Sequence, residues 1–242
     1  MTKKAIGNGL LMLLLVFMIS GCSTIKGWFS KSKPDRPPDV LAQEGIKDLR
    51  KRNYLDAVDA FKRLKDRYPY SKQAILAQLK VADAYFYEKK YDEAQQAYRE
   101  FEKLHPTSPA VPYCIYREGL CNYRQRSTID RDQTYTRRAI AEFLRLKQKY
   151  PHSQFIPAAN RCLARCRQDL AAKEFYVAEF YYRTEHYSAA IARYQTLLEE
   201  YPEFSKDALA KQRIQECKTL MANESKPKGL LGKLSSIFDA KW

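Results

Sequence analysis

One triplet, repeated four times, constrains this chain more than any other feature. Ala57, Phe61 and Pro69 recur as Ala94, Tyr98 and Pro106, as Ala139, Phe143 and Pro151, and as Ala190, Tyr194 and Pro202. The alanine and the aromatic are one helical turn apart in every copy, so they share a face. The small residue lets a neighbouring helix approach and the ring fills the groove so formed. The proline, which has no amide hydrogen, ends the helix. The residue before it, Tyr68, His105, Tyr150 or Tyr201, is pushed out of the helical region by the proline ring. A fixed period of this kind predicts a stacked array of like units.

Each of these helices needs a partner. Gly45, Ala82 and Ala178 stand at one constant distance before the alanine in the first, second and fourth units, and Tyr85 and Tyr181 follow one turn later in two of them. In the third unit the small residue is Gly119, displaced toward the N-terminus, which predicts an insertion around Gln125 to Asp132 between its two helices. From Phe155 to Tyr182 only Pro157 interrupts, so this stretch reads as two helices or as one long kinked helix, and Lys206 to Ala222 as a closing helix. The order small, aromatic, alanine, aromatic, proline resembles the tetratricopeptide (TPR) pattern. The expected fold is an all-α, TPR-type solenoid of about five helix-turn-helix repeats over residues 40–222. Only eight glycines in 242 residues favour helix as well. First-helix residues line the groove of a TPR array. In the second unit these are Leu76, Leu79, Asp83, Phe86 and Tyr87, a candidate peptide-binding groove; the same residues also suit packing against the third unit or the N-terminal segment. The matching positions of the fourth unit, Ala172, Phe175, Glu179, Tyr182 and Arg183, are more polar.

The N-terminus speaks to location. Lys3 and Lys4, an apolar run from Leu10 to Ile19, and Ile19-Ser20-Gly21-Cys22 have the layout of a bacterial lipoprotein signal. The run is shorter than the roughly 20 apolar residues that span a bilayer. Residues 1–21 are therefore expected to be a signal peptide, Cys22 the lipidation site and first residue of the mature chain, and residues 22–39 a flexible linker carrying Pro34, Pro37 and Pro38. Ser23, in place of Asp, resembles the sorting pattern of lipoproteins bound for the outer membrane, so the expected location is the periplasmic face of that membrane, lipid-anchored.

The formal charge of +15 invites anionic partners. For an exported, tethered chain these are headgroups, cell-wall polymer or an acidic protein face, and nucleic acid is not expected. Cys114, Cys121, Cys162, Cys166 and Cys217 remain besides Cys22, an odd number. The pairs Cys114/Cys121 and Cys162/Cys166 share helix faces, where they serve as small packing residues or as bridges. His105, His152 and His186 show no metal-ligand spacing, no cofactor is expected, and no nucleophile-base or paired-carboxylate arrangement points to an enzyme. Residues 223–242 form a C-terminal tail in which Leu230, Leu231, Leu234, Ile237, Phe238 and Trp242 recur at helical spacing. Such a segment docks on a partner groove, lies in a headgroup layer or folds back on the last repeat.

Longer strings narrow the reading. Pro34-Asp35-Arg36-Pro37-Pro38, Tyr113-x-x-Tyr116-x-x-Gly119-Leu120, Asp130-Arg131-Asp132, Tyr150-Pro151-x-Ser153-x-Phe155 and Phe175-x-Val177-Ala178-Glu179-x-Tyr181 follow one another in the order seen in the BamD (ComL) lipoproteins. The chain resembles that family, the scaffold of the outer-membrane β-barrel assembly machinery, over roughly residues 22–222. The resemblance implies a scaffold whose C-terminal repeats hold the periplasmic domains of BamA and whose N-terminal groove receives the aromatic C-terminal signal of unfolded outer-membrane proteins. It assigns Arg193 to partner binding, and Leu79, Phe86 and Tyr87 would form the aromatic slot with Lys72 and Lys80 beside it. Glu118 stands where the family has a basic residue, with Arg117 one place earlier. Two other readings share the anchor and the repeats: a TPR lipoprotein organising cell-wall synthesis or division, and a competence-type lipoprotein.

Overall fold

The computed structural model describes residues 36–224, and every regular element in that span is an α-helix. They are α1 (Pro38–Arg50), α2 (Tyr54–Arg67), α3 (Lys72–Tyr87), α4 (Tyr91–Leu104), α5 (Val111–Arg124), α6 (Thr134–Lys149), α7 (Ile156–Arg183), α8 (Tyr187–Glu200) and α9 (Asp207–Glu224). Among the described residues none of these is long and apolar enough to cross a membrane. Cys22, the leader, most of the linker and the amphipathic pattern after Ser225 lie outside the described residues.

The helices pair in sequence order, α1 with α2, α3 with α4, α5 with α6 and the second half of α7 with α8, and α9 closes the stack against α8. The triplet explains each pair. Ala57, Ala94, Ala139 and Ala190 are fully buried, and Phe61, Tyr98, Phe143 and Tyr194 pack one turn further along the same seams. Burial of each such ring contributes about 1.5–3 kcal/mol. The two glycines of the array sit where a ring meets backbone. A β-carbon on Gly45 would lie 2.6 Å from the Phe61 ring, and one on Gly119 would lie 2.5 Å from Phe143. Gly119 is thus the small residue of the third unit despite its early position.

Both kinds of turn are repeated almost unchanged. Before each proline, Tyr68, His105, Tyr150 and Tyr201 cap their helices with φ between −137° and −130° and ψ between 55° and 62°. Their amides donate to the carbonyls of Leu64, Phe101, Leu146 and Leu197. Within a pair, the connection passes through a left-handed residue: Arg52 (φ 64°), Lys89 (φ 65°) and Glu185 (φ 61°). The following amides of Asn53, Lys90 and His186 donate back to Asp48, Tyr85 and Tyr181, which closes the C-terminal carbonyls of the first helix. The third unit lacks this turn. Its α5–α6 connection is the predicted insertion, held by Gln133 donating to the carbonyls of Thr128 and Arg131.

Of the two alternatives for Phe155 to Tyr182, the structure has one unbroken helix. Pro157 lies in the first turn of α7, where its missing amide hydrogen costs nothing, so it starts the helix instead of breaking it. The first half of α7 (Ala159, Leu163, Cys166) belongs to the core under α5 and α6, and the second half (Ala171, Phe175, Ala178) to the core under α8 and α9. Helix α9 buries Ala210, Ile214 and Cys217 and turns Lys211, Gln212, Gln215 and Lys218 outward. A polar outer face is what a capping helix of a repeat array needs.

Candidate partner-binding faces

The α3 face divides into an exposed and a buried part. Leu76 and Tyr87 are half exposed, Leu79 is partly covered, and Asp83 and Phe86 are buried. Phe86 is packed from α5. The Arg117 guanidinium lies 3.7 Å from the Phe86 ring centroid and within 6 Å of Tyr87, Tyr98 and Tyr113. Arg117 Nε donates to the Tyr98 hydroxyl at 2.9 Å. The hydroxyls of Tyr98 and Tyr113 donate in turn to Asp83 Oδ1 at 2.7 and 2.6 Å, and Lys80 Nζ donates to Asp83 Oδ2 at 3.0 Å. Burial, with the Asp83 carboxylate beside it, raises both tyrosine hydroxyls far above their ordinary value, so they remain donors. The five groove positions therefore do not form one open apolar slot. Phe86 is covered and Lys80 is engaged, because a buried carboxylate at Asp83 needs the donors around it. What stays accessible is Leu76, the edge of Leu79, and Tyr87 with Tyr54 stacked on it at 5.8 Å.

The same clamp recurs in the last pair, closed by α9. Glu179 accepts from the Tyr194 hydroxyl at 2.5 Å and from Arg213 Nε at 3.1 Å, and the Arg213 guanidinium lies 4.4 Å from the Tyr182 ring. Glu179, Tyr182, Tyr194 and Arg213 occupy the repeat positions of Asp83, Phe86, Tyr98 and Arg117. The first and third units have Phe61 and Phe143, with Ile46 and Leu120 at the acid position, so neither carries the tyrosine hydroxyl or the acid of the clamp. Sequence reasoning missed this device. Its signal was present: tyrosine in place of phenylalanine in alternate units, an acid after the small residue, and an arginine in the next first helix.

Glu118, the departure from the family pattern, points into the α4–α6 seam. It is fully buried between Arg99 and Arg145, both 3.2 Å away, and Arg145 also bonds Glu102 and Glu142. Burial pushes the Glu118 carboxyl up to about 7 and the Glu142 carboxylate adds to the shift, while Arg145 and Arg99 oppose it. Arg193 sits on α8, half exposed, with Nη1 3.3 Å from Glu174 on α7. An ion pair this open is easily exchanged for a partner's carboxylate. The five cysteines among the described residues are free; Cys114, Cys121, Cys166 and Cys217 are buried in helix seams, Cys162 half-buried. Burial pushes the thiols of Cys114, Cys121 and Cys166 up to about 12, which keeps them protonated and inert.

The model of the YfiO family, described as outer membrane lipoprotein, matches residues 34–228. The chain belongs to the YfiO family. Its curated relatives include the outer membrane protein assembly factor BamD of Xylella fastidiosa strain 9a5c, 31% identical over 83% of this chain and 73% of that one. BamD of Vibrio cholerae is 30% identical over 81% of this chain and 83% of its own length. BamD of Caulobacter vibrioides is 26% identical over 78% of this chain, and the match spans 62% of that longer relative. The YfiO match begins four residues before α1 and ends four residues after α9, so it takes in the whole described array.

Proposed function

We propose that this YfiO-family chain is a lipid-anchored adaptor that binds BamA and unfolded β-barrel proteins during their insertion into the outer membrane. The observation that carries the reading is the family match across the entire helical array, with BamD relatives named as outer membrane protein assembly factors. A chain of paired helices with half-exposed side chains on α3 and α8 suits a scaffold that brings partners together and leaves the chemistry of insertion to them. Cys22 would carry the lipid. On α8, Arg193 would exchange Glu174 for an acidic group of BamA, and on α3 the strip of Leu76, Leu79 and Tyr87 would meet the aromatic end of a substrate, with the buried Asp83 and Phe86 supporting it from beneath.

Capture from detergent-solubilised membranes tests the reading. The wild-type chain should retain BamA; Arg193→Glu should retain much less with its helical spectrum unchanged, and Cys22→Ser should leave the membrane fraction. Retention of cell-wall synthases in place of BamA would replace this reading with a wall-organising one.

A further inference from the structure

The seams between successive second helices are built in two different ways. Between α4 and α6 the charges are stitched together: Arg99 reaches Glu142 at 3.5 Å and Arg145 reaches Glu102 at 2.6 Å, and both arginines also hold the buried Glu118. One repeat earlier, between α2 and α4, the positions of Arg99, Glu142, Glu102 and Arg145 are taken by Lys62, Ala97, Lys65 and Glu100. Neither Lys65 nor Glu100 has an ion-pair partner among the described residues. Instead of a closed network this seam holds a recess of about 230 Å³, floored by α3.

The lining sorts by wall. Lys62 and Lys65 come from α2, Glu93 and Glu100 from α4, and Val81, Tyr85 and Phe101 give an apolar floor. On the cationic side Lys62 Nζ donates to the Tyr85 hydroxyl at 2.7 Å, which fixes it and leaves it two further hydrogens, and Lys65 stands half-buried one turn along. On the acidic side Glu93 has no cation at ion-pair distance among the described residues either. A small group that is anionic at one end and cationic at the other matches both walls at once. Its cation is a primary ammonium, because carboxylate oxygens take N–H donors, whereas a quaternary ammonium seeks aromatic faces and the Tyr85 ring already lies under Lys62 at 5.4 Å. Its anion faces two ammonium groups, which suits a phosphate ester with several oxygens better than a single carboxylate. At about the volume of one water per non-hydrogen atom, the recess takes roughly eight such atoms, the size of a phosphoethanolamine group.

We propose that the recess between α2 and α4 binds the phosphoethanolamine zwitterion, its phosphate against Lys62 and Lys65 and its ammonium against Glu93 and Glu100. The group has the same chemistry as the headgroup of a phospholipid and as a free phosphodiester, and the site recognises it in either form. Leu76, Leu79, Tyr87 and Arg193 do not line the recess, so it is separate from both partner-binding faces.

The test titrates the full chain, in a nonionic detergent, with glycerophosphoethanolamine, glycerophosphocholine and glycerol 3-phosphate, followed by calorimetry. The first should bind about tenfold or more tightly than either of the others, the scale of a hydrogen bond to a charged group. Glu93→Gln with Glu100→Gln, both exposed positions, should erase that preference and leave the affinity for glycerol 3-phosphate in place. Ala97→Leu, which fills the recess from α4, should abolish binding with the melting temperature held. Equal affinity for the three compounds overturns the inference, and so does an unaltered preference in the double glutamine variant or unaltered binding in Ala97→Leu. Phosphatidylethanolamine is then added to the micelles: displacement of the soluble ester identifies the lipid headgroup as the source, and its absence identifies the free phosphodiester, the site being supported in both cases. Arg193 is untouched in every variant, so BamA capture and this site fail separately.

Discussion

The two glycines of the array are the sharpest residue-level statement of how the seams are built. Gly119→Ala forces a β-carbon toward a fully buried Phe143 ring that packs between helices, so it should destabilise the protein by about 1–3 kcal/mol. A denaturant titration checks this, and Phe143→Leu in the same background should recover part of the loss. Glu118 makes the other residue-level prediction. Its carboxyl holds its proton in the folded chain up to about 7, whereas in the unfolded chain it releases it near 4.5. Between those values the native state binds the extra proton, so this group's stabilising contribution is complete below the unfolded value and is lost as pH rises through 7. Melting curves between pH 5 and 8 should show wild type losing stability relative to Glu118→Gln as pH increases. A constant gap between the two would place the carboxyl at its ordinary value.

At the level of elements, the helix boundaries were legible because their causes are local. Proline and its preceding residue fix four helix ends, and the alanine-aromatic spacing fixes which faces meet. The three left-handed turns are equally local. Lys89 occupies a conformation that costs a side chain roughly 1–2 kcal/mol and that glycine adopts freely. Lys89→Gly should therefore stabilise the fold by about 0.5–1 kcal/mol, measured as a higher denaturation midpoint with an unchanged slope. The α3 face was legible only in part. That Leu76 and Tyr87 face outward follows from helical period; that Phe86 is covered follows from Arg117, a residue of another helix whose reach across the seam no local pattern encodes. The α7 face was likewise legible in part: Ala172, Phe175, Glu179 and Arg183 follow from the repeat, whereas Ile129 comes from an insertion and Phe204 and Lys206 from a distant turn.

For the whole molecule, the decisive element is α7, whose two halves belong to two different cores. The array from α5 to α9 should unfold as one cooperative unit. Ala164→Pro, at an exposed position in mid-helix, removes no core contact but breaks the rod, and it should split one thermal transition into two in calorimetry. A single transition at a lower temperature would mean that the seams alone hold the units together. An unbroken helix of 28 residues is also about 42 Å of nearly incompressible length. Whatever binds near its start and whatever binds near its end are kept at a set distance, with no hinge to lengthen or shorten it. In that respect the second half of this chain would act as a ruler, setting a constant separation between groups held at its two ends.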